Sequence, residues 1–305
     1  MKYIKYDGYS VSKLSLGTVQ FGIDYGIANV NGKPTQTDVN NILQYLFSQG
    51  INSFDTAKGY GNSEEVIGKY FETVPMNEGY VISKIDSKEL KLQEVDFINS
   101  IKVSISKLKI EGLFGLLMHN STIMNDWNND FGNKISLLKQ KGLIKYFGVS
   151  IYSNEEFEQA LDNNDIDIIQ IPYNLFDQRA YQFEWFKKAK QANKLIFIRS
   201  IYLQGLLLMN IEQIPEKLSS AKQYLEILDS MAKKLKMTKN ELSLSFVNST
   251  AKDSILLFGC ETVSQAKENL EIFDNIKELD INTIKEINHK FKDIDETIYN
   301  PTKWV

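Results

Sequence analysis

Cysteine occurs once in this 305-residue chain, at Cys260, and histidine only twice, at His119 and His289. A single thiol excludes an intramolecular disulfide and a multi-cysteine zinc site. With so few imidazoles, where each one falls is informative. Proline is scarce too, at 5 residues, and no Pro-, Gly- or Ser-rich linker divides the sequence, so one domain over residues 1–305 is expected. No apolar run approaches the roughly 20 residues that span a bilayer. The opening MKYIKYDGYS lacks an apolar signal core, and a cytoplasmic location is the expectation. Charge is nearly balanced: 35 Lys and Arg against 39 Asp and Glu leave a net charge of -4. That is no footprint for a nucleic acid or an anionic membrane.

What is present is a large apolar fraction, 43 %, enough for a substantial core. Asp7-Gly8 lies between the runs 2–6 and 9–11, a hairpin signal. Strands and helices then alternate. Short apolar runs at 13–17, 51–55, 80–84, 113–118, 146–149, 166–171, 195–198 and 255–258 read as strands. They are continuously apolar rather than alternating, as in a parallel sheet buried on both faces. Helical spacing appears at 37–48, 63–71, 96–108, 133–141, 154–161, 181–192, 219–235, 239–248, 264–273 and 282–292, before an irregular tail at 291–305. Eight strand–helix units predict a (β/α)8 TIM barrel with an N-terminal β-hairpin and an extra helix near the C-terminus. A doubly wound open sheet is the alternative.

In such a barrel the chemistry lies at the C-terminal strand ends. The second strand ends in Asp55, the third in Lys84 and the fourth in His119, and Tyr60 follows Asp55 on a loop between Gly59 and Gly61. Singly, each has an ordinary explanation: a turn former, a solvated charge, a core histidine or a surface phenol. Together they converge on one rim, and the set suits proton donation to a carbonyl. A free phenol titrates near about 10. A neighbouring Lys84 ammonium is expected to lower that value, with Asp55 holding the ammonium charged and aimed. A neutral His119 can orient the substrate oxygen towards the Tyr60 hydroxyl. No second His or Cys and no carboxylate pair accompanies them, which argues against a metal site and a two-carboxylate glycosidase.

The run FDTAKGYGNSEEVIGK, followed by VISK and then LLMH, resembles the aldo-keto reductases. So do the hairpin, the LGTVQFG segment and the helix added before the last strand. The resemblance implies that Tyr60 is the proton donor, that Lys84 and Asp55 tune it, and that His119 orients the carbonyl. It also implies a nicotinamide dinucleotide, NADP(H) by family habit with NAD(H) as the alternative, held without a GxGxxG loop. GVS at 148–150 makes Ser150 a ligand of the carboxamide, although Ile151 stands where the family usually has Asn. Gln170 in IIQIPYN is the second carboxamide ligand. IRSIYLQGLLL makes Ser200, Leu203, Gln204 and Gly205 the pyrophosphate segment, and FGCETVSQAKENL puts Gln265, Glu268 and Asn269 on the adenine side. Gln265 replaces an Arg often used for the 2′-phosphate, and Gly259 and Cys260 replace a Lys-Ser pair.

Arg199 departs most sharply from the family. It stands where an aromatic usually stacks under the nicotinamide. A guanidinium can stack in the same way, and the competing expectation is an ion pair with Asp177. The LGTVQFGIDYGIANVNGKP opening looks like a bacterial branch linked to surface-sugar biosynthesis, which suggests a sugar-derived aldehyde or ketone as the small-molecule substrate. Phe21, Tyr25, Trp127, Tyr152, Tyr202, Tyr299 and Trp304 are the candidate pocket walls. Two other functions fit the same residues: a cofactor-sensing or binding module on a reductase-like barrel, or a barrel epimerase or dehydratase using Tyr60 and Lys84.

Overall fold

The structure, a computed structural model, describes residues 1–74 and 79–304; Val305, the end of the expected tail, lies outside the described residues. Strands β1 (Tyr3–Tyr6) and β2 (Tyr9–Ser12) pair antiparallel. Asp7 and Gly8 turn between them with φ of 45° and 84°, the positive angles that a two-residue hairpin turn demands. The next eight strands are β3 (Leu14–Gly17), β4 (Ser53–Asp55), β5 (Tyr80–Ile85), β6 (Leu113–Met118), β7 (Ile144–Ser150), β8 (Ile168–Pro172), β9 (Leu195–Arg199) and β10 (Ile255–Phe258). They close a parallel barrel, β10 pairing with β3 and with β9. The open-sheet alternative is thereby removed.

Apolar burial fixes which end of the barrel stays open. Ile82, Phe114, Leu117, Tyr146, Ile168 and Phe197 form a buried cluster with Tyr6, Tyr9 and Tyr80 packed against it. Tyr9 meets Tyr80, Phe114 and Tyr146 edge-on at ring separations of 5.8, 5.6 and 6.1 Å. Tyr146 donates to Asp7 at 2.8 Å. The hairpin therefore plugs the N-terminal end of the barrel, and the C-terminal strand ends remain for ligands.

Around the barrel run helices with capped starts. Thr35 and Asp38 form a capping box at the helix Gln36–Ser48, Ser153 and Glu156 another at Asn154–Asp162, and Thr238 and Glu241 a third at Lys239–Thr250. Such reciprocal bonds satisfy amides that the first helical turn leaves open. Between β9 and β10 lie two helices, Lys222–Leu235 and Lys239–Thr250, which is the expected insertion. The helix expected over 181–192 is broken: Arg179–Gln182 and Trp185–Gln191 are separated at Glu184, whose φ is 56°. The break seats the fully buried Trp185 parallel to Phe157, 4.8 Å away. The tail is also more ordered than its composition suggests, with helical turns at Glu296–Tyr299 and Pro301–Lys303. Among the described residues no helix is long and apolar enough to cross a membrane.

Candidate active site

Tyr60 is positioned by close backbone packing. The loop after β4 rests on the turn Val19–Gly22 so tightly that a Cβ on Gly22 would lie 1.7 Å from the Tyr60 carbonyl oxygen. Only glycine leaves room there. From that loop the phenol points over the ends of β4, β5 and β6. Lys84 is almost wholly buried and forms an ion pair with Asp55, itself 3 % exposed. The same ammonium donates to the Thr56 carbonyl at 3.0 Å and lies 3.5 Å from the Tyr60 hydroxyl. The His119 ring meets the Tyr60 ring edge-on at 5.4 Å. All four residues named from the sequence are thus brought together.

The electrostatics differ from expectation in one respect. Burial, then the Asp55 charge, push the Tyr60 phenol well above its ordinary value, and Arg199 opposes them. The lowering expected from Lys84 does not prevail, and the net shift of the phenol is upward. The resting group is accordingly a protonated phenol, an acid able to donate. Burial lowers Lys84, with Asp55 acting in the opposite direction. His119 is pulled down to about 4, by burial first and by Lys84 second. It is therefore neutral at neutral pH, free to donate from one ring nitrogen without carrying charge.

A cavity of about 560 Å³ opens from these residues along the barrel mouth. Tyr60, His119, Tyr25, Tyr152, Ser150, Gln170 and Arg199 line one end; Ser200, Gln204 and Gly205 line its middle; Asn240, Glu261, Gln265, Glu268 and Asn269 line the other. Gln170 donates to Asp55 at 2.7 Å. Arg199 donates through Nε to Ser150 at 3.3 Å and through Nη2 to the Ile151 carbonyl at 3.1 Å. Its guanidinium carbon sits 4.1 Å from the centre of the Tyr152 ring. The alternative pairing with Asp177 does not form, because Asp177 is held by Arg179 at 2.6 and 2.8 Å.

The middle of the cavity is conformationally unusual. Ser200, Leu203, Gln204 and Gly205 have φ of 62°, 50°, 55° and 91°. Two of the amides there bond within the turn: Leu203 N–H donates to the Ser200 carbonyl and Gly205 N–H to the Tyr202 carbonyl, each at 2.9 Å. Asn174 pins Ser200 by donating to its carbonyl at 3.0 Å. A Cβ on Gly205 would lie 2.5 Å from Ala28. Leu203 does not reach the cavity: its side chain is fully buried in the core.

Of the aromatic wall candidates, Tyr25, Tyr152 and Tyr202 line the cavity. The rest are spent on structure. Phe21 is fully buried. Trp127 donates to Asp165 at 3.0 Å, Tyr299 lies against Arg179, and Trp304 donates to the Ile298 carbonyl at 3.1 Å. Sequence reasoning missed Gln20, Asn240 and Glu261, polar residues on loops and a helix start that no local pattern marks.

The sequence profile of the aldo/keto reductase family matches residues 13–291. The chain belongs to the aldo/keto reductase family. Its membership indicates an oxidoreductase, in a family that acts on small-molecule carbonyls. The chain is 24 % identical over 288 residues to "Probable aldo-keto reductase 1" of Glycine max, spanning 86 % of this chain and 81 % of that protein. It is 23 % identical over 289 residues to the "Uncharacterized oxidoreductase YqkF" of Bacillus subtilis (strain 168), across 85 % of this chain and 90 % of the other. Among solved structures, the holo form of the aldo-keto reductase AKR11C1 from Bacillus halodurans has the same fold, with a TM-score of 0.77 at 19 % identity over 99 % of this chain and 98 % of that one.

Proposed function

We propose that this family member uses a nicotinamide dinucleotide to reduce an aldehyde or ketone to an alcohol, with Tyr60 as the proton donor. The observation that carries the reading is the cluster of Tyr60, Lys84, Asp55 and His119 at the head of the cavity, where the half-buried phenol is protonated and 3.5 Å from an ammonium. The cavity of about 560 Å³ along the barrel mouth supports an extended ligand. Its lining includes the left-handed backbone at Ser200, Gln204 and Gly205. It also has an unpartnered buried acceptor, Asn240 Oδ1, on a residue of its far wall.

In this reading Ser150 and Gln170 hold the carboxamide and Arg199 stacks against the nicotinamide. Ser200, Gln204 and Gly205 hold the pyrophosphate, and Gln265, Glu268 and Asn269 hold the adenosine. The chemistry the dinucleotide supplies when bound is hydride donation to the carbonyl carbon. His119 holds the carbonyl oxygen beside the phenol. Tyr60 gives its proton to that oxygen, completing the alcohol. The phenolate left behind is stabilised by Lys84, which Asp55 keeps charged and aimed. Asp55 and Lys84 act through Tyr60 and are positioning residues.

A second hollow adjoins His119 and is lined by Lys58, Gly59, Asp86, Glu89 and Asn120. Its walls offer donors and acceptors and no apolar side chain. That supports a hydroxyl-rich carbonyl, such as a sugar-derived aldehyde or ketone, over a lipophilic one. Mixing protein, reduced dinucleotide and a panel of aldoses and ketoses should bleach the reduced-nicotinamide absorbance. Proton transfer on the substrate with no change in that absorbance would instead identify an epimerase or dehydratase.

A further inference from the structure

We infer that the far end of the cavity selects a dinucleotide whose adenosine ribose carries a free 2′-hydroxyl, NAD(H), over one bearing a 2′-phosphate. The inference rests on the dinucleotide reading above and specifies which dinucleotide. Tyr60 and His119 mark the reacting end, so the adenosine half of an extended ligand must reach the wall formed by Asn240, Glu261, Gln265, Glu268 and Asn269.

That wall combines carboxylates with side-chain amides. Glu261 and Glu268 bring two carboxylates, and among the described residues no Lys or Arg joins them in lining it. The single cation of the cavity lining, Arg199, stands at the opposite end beside Ser150 and Tyr152. Asn240 is oriented by its own bond: Nδ2 donates to Glu268 at 3.2 Å, which leaves Oδ1 as a buried acceptor with no partner. Carboxylate and amide oxygens accept from hydroxyls and exocyclic amines, and a carboxylate on the adenosine ribose is the general device for a free 2′-hydroxyl. A phosphomonoester carries more than one negative charge and offers these groups no donor at neutral pH.

One feature of this wall could favour a phosphate, namely the start of the helix Val263–Asp274. Part of that start is already taken by protein groups. Thr262 Oγ1 accepts from the Gln265 amide at 3.2 Å, and Gln265 Oε1 accepts from the Glu261 amide at 2.6 Å. A 2′-phosphate bound at that start would sit on the wall that carries the Glu261 carboxylate. That carboxylate is itself held in place by Gln20, which donates to it at 2.9 Å.

Equilibrium titration of the purified protein with NADH and with NADPH, read by protein fluorescence, tests the inference without any turnover. NADH should bind tighter by about tenfold or more. Added salt should narrow the gap, since screening weakens charge repulsion. The double variant Glu261→Gln/Glu268→Gln should weaken NADH, tighten NADPH and bring the ratio of dissociation constants towards one. Gln265→Arg, which adds a cation to the same wall, should tighten NADPH relative to NADH. Wild-type binding of NADPH as tight as or tighter than NADH overturns the inference and leaves the dinucleotide reading standing. A ratio that none of these variants moves overturns the role given to the two carboxylates. If neither nucleotide binds, the inference falls together with the dinucleotide reading.

Discussion

Gln170 Nε2 donates to Asp55 Oδ1 at 2.7 Å, while Asp55 Oδ2 takes the Lys84 ammonium. One carboxylate thus joins β8, β4 and β5 at the barrel mouth, and connects the wall proposed for the carboxamide with the proposed proton donor. Such a buried pair is costly to break and cheap to replace as a whole.

Lys84→Met leaves Asp55 buried with one uncompensated oxygen. The expected loss is about 3–5 kcal/mol of unfolding free energy, with the rate of carbonyl reduction abolished. The double variant Lys84→Met/Asp55→Leu removes both charges. It should recover much of the stability and none of the rate, as followed by denaturant unfolding and by turnover. Recovery of rate in the double variant would show that the pair is needed for folding alone.

Tyr60→Phe deletes one hydroxyl and almost no packing. Carbonyl reduction should fall by about two to four orders of magnitude, the usual span for a lost acid catalyst. Dinucleotide affinity should stay within a factor of about three, because the rest of the cavity is intact. A variant that keeps the wild-type kcat would assign the proton to another group.

His119 titrates at about 4 in the folded protein against 6.5 for an ordinary histidine. The profile of kcat/KM should therefore show no inflection near 6.5 and should change only as pH approaches about 4. Stability follows from linkage. Between about 4 and 6.5 the unfolded chain binds the proton and the folded chain does not. Stability should fall as pH drops through that window, and the full contribution is present above it. His119→Gln cannot titrate, so comparing wild type and variant melting temperatures over the same pH range isolates the effect.

Much of this was legible in the sequence. The eight barrel strands are continuous apolar runs, and Asp55, Lys84 and His119 are polar groups that end three of them. Burial on both faces makes the first signal strong, and a polar residue closing such a run must face the open rim. What was not legible depends on compensation and on distant chain. The sequence places a Lys near a Tyr, but only the fold reveals that burial and Asp55 push the phenol upward. The left-handed turns at Ser200, Leu203 and Gln204 leave no hydrophobic pattern, so the side chain of Leu203 could be mistaken for a cavity group. Glu261 and Asn240 reach the same cavity from separate segments. Trp304 and Trp127 look like pocket walls until their indole N–H groups are found bonded to Ile298 and Asp165.

Arg199 is the residue whose replacement separates binding from proton transfer. Its guanidinium is fixed by Ser150, Ile151 and the Tyr152 ring, and it faces the cavity as a cation with no carboxylate partner among the described residues. In the proposed complex it lies against the nicotinamide, where like charges repel the oxidised ring and spare the neutral reduced one. Arg199→Phe keeps a planar face and removes the charge. The ratio of oxidised to reduced dissociation constants should then fall towards one. The same charge holds the Tyr60 phenol and the His119 imidazolium down, against burial in the first case and with it in the second. Removing it should move the acid limb of the kcat/KM profile upward from about 4, in the direction of the ordinary histidine value of 6.5. A structural role alone would lower the melting temperature and leave both the ratio and the limb where they were. Arg199→Lys decides the remaining point: it restores the charge without the planar face, so recovery of the limb without recovery of affinity would show that the two effects are separable.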